Sequence, residues 1–232
     1  MSLKKLSLVF SGSLLVLAVV LLVNLTVSGI KLKNIEEANK VCVVIDAGHG
    51  GFDGGAVATD GTLEKDINLQ IASKLDEACR IFGLKTRMVR TTDASTEDAG
   101  TTANKKRSDL NNRLKIMKEE ENCVFVSIHQ NEFSTSQPNG AQVFYAPKVT
   151  GSEQLADSIQ TALKNHIQNN NKRVIKAGTS SAFLLYYAVR PAVIVECGFM
   201  SNPQDLKNLK DAEYQQRLAF AIATGISNYC FA

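Results

Sequence analysis

Short apolar runs alternate with amphipathic stretches along the chain from residue 41 onwards. Continuous β-branched runs are typical of strands that are buried on both faces of a sheet. Strands are predicted over residues 41–45, 84–90, 123–128, 142–146 and 192–195. Between these runs, apolar residues recur at spacings of three and four, which predicts helices. Helices are predicted over residues 66–82, 108–120, 152–165 and 211–229. The alternation indicates an α/β fold, a single domain with a mostly parallel central sheet flanked by helices.

The first 30 residues follow a different pattern. Residues 6–30 contain no charge, and lysines precede and follow them. As a helix this run would be about 37 Å long, which is enough to cross a hydrocarbon core of roughly 30 Å. We therefore expect residues 1–33 to be a cleaved signal or an uncleaved membrane anchor, residues 34–40 a connector, and residues 41–232 the folded domain. Both forms place the domain outside the cytoplasm, and a buried core helix is disfavoured because the run has no polar face.

Charge changes the picture further along the chain. The 26 Lys and Arg residues exceed the 23 Asp and Glu residues, but four of the lysines lie in residues 1–33, where there is no acid. The remaining chain is near neutral, so a nucleic-acid partner is not expected. The five cysteines form no CxxC pair. We expect most of them to be reduced and buried, because a free thiol behaves as a small hydrophobe.

Candidate chemistry collects where the predicted strands end. His49, His129 and Glu196 each follow an apolar run, and Glu64 lies at the start of the first predicted helix. In open α/β sheets, ligands bind beyond the carboxyl ends of the strands. Two imidazoles and one carboxylate form a three-ligand zinc set with an open fourth position, and a further carboxylate can act as a base. His49, Glu64 and His129 are therefore candidate ligands and Glu196 a candidate base, with purely structural roles equally open. The third histidine, His166, is expected on the surface.

Two other interpretations of these residues are weaker. The glycine-rich stretch at residues 48–55 lacks the Gly-Lys-Ser/Thr ending of a phosphate-binding loop, and glycines that permit positive φ around a ligand explain it better. Cys197 could be a nucleophile, but its neighbour Glu196 faces the other side of the strand, so Cys197 should face the core. Arg113 could contact substrate or hold the sheet, and ion pairs or packing contacts are the favoured expectation. The small polar residues 91–106 predict a long loop that could cover a site.

Four blocks of sequence carry a resemblance to a known family. The blocks are VIDAGHGG at 44–51, LEKDINL at 63–69, VSIHQN at 126–131 and VECGFMSN at 195–202. Together they resemble the zinc-dependent N-acetylmuramoyl-L-alanine amidases of the amidase_3 type. The resemblance implies Zn²⁺ held by His49, Glu64 and His129, with Glu196 as the catalytic residue. It departs from the family pattern at Gln130 and Cys197, neither of which is a ligand or the base.

A single catalytic domain behind one N-terminal segment is similar to the germination-specific (CwlD) subfamily of spore formers. That similarity implies peptidoglycan as substrate, an amide between muramic acid and L-alanine as the bond that is cut, and the spore cortex as the compartment. An activating protein partner is possible, and residues 6–30 would contact the membrane if they are not cleaved. Two alternatives remain: a non-catalytic wall-binding scaffold, and a zinc peptidase that cuts within the stem peptide.

Overall fold

The structure is a computed structural model that describes residues 23–24 and 41–231. Except for residues 23–24, the predicted signal or anchor at residues 1–33 and the connector at 34–40 lie outside the described residues. Among the residues described, no helix is both long and apolar enough to cross a membrane.

Six strands and six helices make up the described part of the chain. The strands are β1 (Cys42–Ala47), β2 (Lys85–Met88), β3 (Cys123–Asn131), β4 (Gln142–Tyr145), β5 (Lys176–Ala177) and β6 (Ala192–Phe199). The helices are α1 (Glu64–Ile81), α2 (Lys105–Glu119), α3 (Ser152–His166), α4 (Phe183–Tyr186), α5 (Pro203–Lys210) and α6 (Ala212–Cys230). The α/β class is confirmed.

The strands form one sheet in the order β2-β1-β3-β6-β4-β5. The four strands β2, β1, β3 and β6 run parallel, whereas β4 is antiparallel to β6. A parallel strand needs a crossover, usually a helix, that returns the chain to the amino end of the sheet. The segment between β3 and β4 contains no helix, so β4 runs in the direction opposite to β3. The prediction of a mostly parallel sheet is confirmed, and its parallel part brings the ends of β1, β3 and β6 to one edge.

Helices cover both faces of the sheet. On one face, Leu114 and Met117 of α2 and Leu185 of α4 pack with Val44 and Phe125 in a cluster of buried side chains. On the other face, α6 packs against α1 and α3. Gly225 permits close contact between α6 and α3, because a Cβ at this position would approach the main chain of Ile159 to under 3.0 Å. The central strands are therefore enclosed on both faces, which explains their continuous apolar runs.

Several predicted bounds differ from the structure. The predicted strand 192–195 extends to Phe199, so Glu196 and Cys197 lie inside β6 instead of beyond it, and β3 includes His129. Helices α4 and α5 and the two-residue β5 were not predicted. All five cysteines are free thiols; Cys79, Cys123 and Cys197 are buried, and Cys42 and Cys230 are partly exposed. Residues of the predicted long loop are attached to α2, since Asp109 accepts hydrogen bonds from the main-chain N and the hydroxyl of Thr96.

Candidate metal centre and active site

The four candidate residues meet at the carboxyl edge of the parallel strands. His49 follows β1, His129 lies near the end of β3, and Glu196 is its register partner on β6. Glu64 is the first residue of α1. The edge predicted from the sequence is therefore the edge at which these side chains converge.

Glu64 lies between the two histidines. Its Oε2 is 3.1 Å from Nε2 of His49, and its Oε1 is 3.0 Å from Nδ1 of His129. One potential ligand atom from each of the three residues lies within 4.8 Å of the others, an arrangement that could hold a metal ion. The rings of His49 and His129 are edge to face, with centroids 4.9 Å apart.

Glycines make room for these three side chains. A Cβ on Gly48 would lie under 3.0 Å from ring atoms of His129, and a Cβ on Gly55 would meet Glu64 and the His49 ring equally closely. His49 itself has φ of 60°, a left-handed conformation that is rare for a residue other than glycine. The glycine-rich stretch thus shapes a cradle for the donor set, as the interpretation based on positive φ predicted.

The same stretch is not arranged to bind phosphate. The main-chain N of Gly50 donates to the carbonyl of Asp53, that of Gly51 to the Asp93 carboxylate, and that of Gly55 to the Asp53 carboxylate. These donors are used within the protein, whereas a phosphate cradle aims such groups at its ligand.

Main-chain and amide donors fix the carboxylate of Glu64. The main-chain N atoms of Ala56 and Gln130 and the side-chain amide of Asn68 all donate to it. Burial alone would raise the pKa of Glu64, but hydrogen bonds with His129 and His49 hold it far below its ordinary value. Glu64 is therefore an ionised carboxylate with a fixed orientation.

Asp53 orients the His49 ring. Its Oδ2 is 2.8 Å from Nδ1 of His49 and also accepts a hydrogen bond from Nζ of Lys106 at 2.8 Å. Burial would raise the pKa of Asp53, but these two partners lower it to about 2. With Nδ1 donating to Asp53, Nε2 of His49 keeps its lone pair directed at the site. Sequence reasoning did not select Asp53; the signal available was a carboxylate four residues after a candidate ligand.

Glu196 completes the group from the neighbouring strand. Its Oε2 is buried and has no hydrogen-bond partner within residues 23–24 and 41–231. Burial raises the pKa of Glu196 to about 7; the Glu64 carboxylate adds to this rise, and His129 and His49 oppose it. The next residue, Cys197, is fully buried, and burial also raises the pKa of its thiol. This confirms that Cys197 faces the core.

Two buried arginines hold the loop that carries His49. Arg113 donates to the carbonyl oxygens of Ala47 and His49, and Arg90 donates to those of Ala47 and Gly48. Arg113 also pairs with the carboxylates of Asp46 and Asp109. The expectation that Arg113 forms ion pairs is confirmed. Arg90 was missed, because a guanidinium that binds main-chain carbonyls leaves no sequence motif.

A cavity of about 170 Å³ adjoins the donor set. Its lining includes His49, His129, Lys106 and Phe183. His166, by contrast, is exposed on α3, as predicted. A His–Glu–His donor set beside a cavity, with a further glutamate on the adjacent strand, is the arrangement of a metal-dependent hydrolase.

Comparison with known proteins defines the family within that class. The model of the family Amidase_3, N-acetylmuramoyl-L-alanine amidase, matches residues 43–228. The chain therefore belongs to this family of enzymes. A germination-specific N-acetylmuramoyl-L-alanine amidase of Bacillus subtilis is 32% identical over 189 residues, which are 81% of this chain and 78% of that protein.

Solved structures agree with the family assignment. The CwlD amidase of Clostridioides difficile, solved in complex with the GerS lipoprotein, has a TM-score of 0.77 and 39% identity over 82% of this chain and 98% of that one. The amidase AmiC2 of Nostoc punctiforme has a TM-score of 0.69 and 30% identity over 82% of this chain and 97% of that one.

Proposed function

We propose that this protein hydrolyses the amide between the lactyl group of N-acetylmuramic acid and L-alanine in peptidoglycan, with Zn²⁺ held by His49, Glu64 and His129. The observation that carries the proposal is the convergence of these three side chains, with Glu196 paired to His129 on the next strand. Family membership supplies the bond and the substrate class.

The donor set fits zinc. Two imidazole nitrogens and one carboxylate oxygen are ligands that catalytic zinc uses, and three protein ligands leave a tetrahedral position open. The ionised Glu64 and the Asp53 partner of His49 suit a cation at this point. When bound, zinc would act as a Lewis acid on the scissile carbonyl and lower the pKa of the attacking water to about 7.

The protein's own residues would position the substrate and move the proton. The cavity beside His49 and His129 receives the lactyl amide. The Glu196 carboxylate, with a buried oxygen that binds no other described group, takes the proton from the attacking water. It then gives this proton to the nitrogen of L-alanine, which leaves as an amine.

The wider role follows from the relatives. The Bacillus subtilis relative is named germination-specific, and the Clostridioides difficile neighbour was solved with a lipoprotein. We extend this to a role of the present protein in spore cortex maturation, on the path to muramic-δ-lactam, outside the cytoplasm. Residues 6–30 would export or anchor it, and a protein partner would assist its activity.

The test is mass spectrometry of the products formed when zinc-loaded full-length protein is incubated with peptidoglycan. Peptide-free glycan and stem peptides that begin with L-alanine are expected, and both should be absent with Glu196→Gln. Products cut within the stem would identify a peptidase. Absence of cleavage by a protein shown to hold zinc would favour a scaffold or an enzyme that lacks its activating partner.

A further inference from the structure

A row of aromatic side chains leads away from the catalytic cavity. The aromatic band consists of Phe183 and Tyr186 in α4 and Tyr187 directly after it. The Phe183 and Tyr187 ring centroids are 4.7 Å apart, and those of Tyr186 and Tyr187 are 5.0 Å apart. Tyr187 is 46% exposed although it is a large hydrophobic residue. The band therefore offers an apolar surface to a ligand.

The band is continuous with the active site. Phe183 lines the same cavity as His49 and His129, together with Ser181 and Leu184. A substrate whose scissile bond lies in the cavity would contact Phe183 first and the two tyrosines beyond it.

A cation stacks at each end of the band. The guanidinium of Arg107 lies 4.4 Å from the centroid of Phe183, and Nζ of Lys148 lies 3.6 Å from the centroid of Tyr186. Both residues are exposed, and neither forms an ion pair with a residue that the structure describes. A guanidinium that lies over a ring and has no ion-pair partner can donate to a carboxylate through two parallel hydrogen bonds.

We propose that the aromatic band, with Arg107 and Lys148, binds the stem peptide of the substrate through its carboxylates. This inference rests on the proposed function. In the scissile amide, the lactyl carboxyl group of the sugar is already consumed, so the glycan side of that bond carries no charge there. The peptide side ends in a free carboxylate. A surface with a cation at each end therefore complements the peptide and not the glycan.

The test uses one pair of muramoyl peptides, with free carboxylates in one compound and carboxamides in the other. For zinc-loaded full-length protein, kcat/KM should be about tenfold higher for the carboxylate compound, the effect of a partly exposed charge-assisted hydrogen bond. In Arg107→Gln this preference should fall to about one, mainly through KM. Arg107→Lys keeps the charge without the fork and should give an intermediate preference. Lys148→Gln should lower it by a smaller factor.

Arg217→Gln is the matched control. Arg217 is also exposed and lies near an aromatic ring, with its guanidinium 6.0 Å from the Tyr214 centroid, but it does not line the catalytic cavity. This variant should keep the wild-type preference. Thermal melting of each variant should match the wild type, because Arg107 is exposed and ion-pairs with no residue in the described ranges.

Binding gives a second readout that needs no turnover. Calorimetric titration of Glu196→Gln with the two compounds should show the same preference, and Glu196→Gln/Arg107→Gln should lose it. Equal losses for both compounds in Arg107→Gln, or an unchanged preference, would overturn the inference. If the wild type hydrolyses neither compound, the proposed function fails, and the titration still decides whether the band distinguishes carboxylate from carboxamide.

Discussion

The ion pairs at the two ends of the parallel strands differ in how far they are exposed to water. At the amino end, where β1 and β3 begin, Arg87 pairs with Glu119 and Glu120, and all three side chains are at least one-third exposed. At the carboxyl end, Arg113 pairs with Asp46 and Asp109, and the Arg113 side chain is 2% exposed. At the amino end, water can solvate a charge that has lost its ion-pair partner. At the carboxyl end, a buried charge that has lost its partner cannot be solvated in this way. Loss of one charge of a pair should therefore lower the free energy of unfolding little at the first end and by several kcal/mol at the second.

The difference follows from what each end must hold. The buried pairs at the carboxyl end fix the carbonyl groups of a loop in which His49 has a left-handed conformation. Within residues 41–231, the loops at the amino end carry none of the four candidate site residues. The following predictions test this contrast, beginning with the largest expected effect.

Replacing Glu196 by Gln should lower kcat by roughly 100- to 10,000-fold, the usual contribution of general acid–base catalysis, because an amide cannot take up the proton. Zinc content should stay at the wild-type level, whereas His129→Ala should lose both zinc and turnover. Metal analysis and product assays check this. The matched change at the amino end, Glu120→Gln, should keep full activity; high activity in Glu196→Gln would remove it from the mechanism.

Arg113→Met should lower the free energy of unfolding by about 3–5 kcal/mol, because two buried carboxylates lose their partner. Urea denaturation measures the loss. If this variant does not fold, Arg113→Lys keeps the charge and should lose less. A loss as small as that of an exposed pair would refute the contrast between the two ends.

Low pH should lower the free energy of unfolding chiefly by protonating buried carboxylates at the carboxyl end. The loss should be smaller than that caused by removal of Arg113. Burial alone would raise the pKa of Asp46, but Arg113 and Ser127 lower it below its ordinary value. A carboxylate with a lowered pKa stabilises the fold above its unfolded pKa of about 3.9, and this contribution is lost as the pH falls through the folded value. Asp46→Asn should therefore flatten the loss of stability below about pH 4. Equal slopes in both proteins would argue against this origin.

Asp53→Asn should weaken zinc binding by roughly 10- to 100-fold, as is usual when the carboxylate behind a metal-binding histidine is lost. The reason is that Nδ1 of His49 loses its anionic partner while the ring keeps its surroundings. Competition with a chromophoric chelator measures the affinity. Unchanged affinity would show that the loop alone orients the ring.

Arg87→Gln should change the free energy of unfolding by less than about 1 kcal/mol, since exposed ion pairs contribute little. The change should shrink further in high salt. Denaturation at two salt concentrations would measure it. A loss as large as that of Arg113→Met would show that the amino end also depends on its charges.

The convergence of His49, Glu64 and His129 was predictable because parallel strands bring whatever follows them to one edge. The side-by-side pairing of His129 and Glu196 was not, since it depends on the register between β3 and β6. β6 extends beyond the predicted end because Met200 donates from its main chain to Asn131, and Asp205 accepts from the main chain of Phe199. The first contact joins distant parts of the chain and the second joins residues six positions apart, and neither appears in the pattern of apolar and polar residues.

Helix α5 did leave a local signal. Asn202 accepts hydrogen bonds from the main chain of Gln204 and Asp205, and Pro203 occupies the first helical position. Asn followed by Pro is a recognised helix start, but the helix is only 8 residues long and its apolar pattern is too short to stand out. By contrast, nothing in the sequence identifies Arg90, since it acts only through main-chain carbonyls, among them those of Ala47 and Gly48.

The long-range contacts of Glu64 bear on when the proposed zinc site can form. Its partners lie 8 residues away at Ala56 and 66 residues away at Gln130. A chain synthesised only as far as α2 has two of the three donors and lacks the strand that supplies the third. At the proposed zinc site, capture by all three donors would wait until β3 has joined β1, so zinc uptake would report this step of folding.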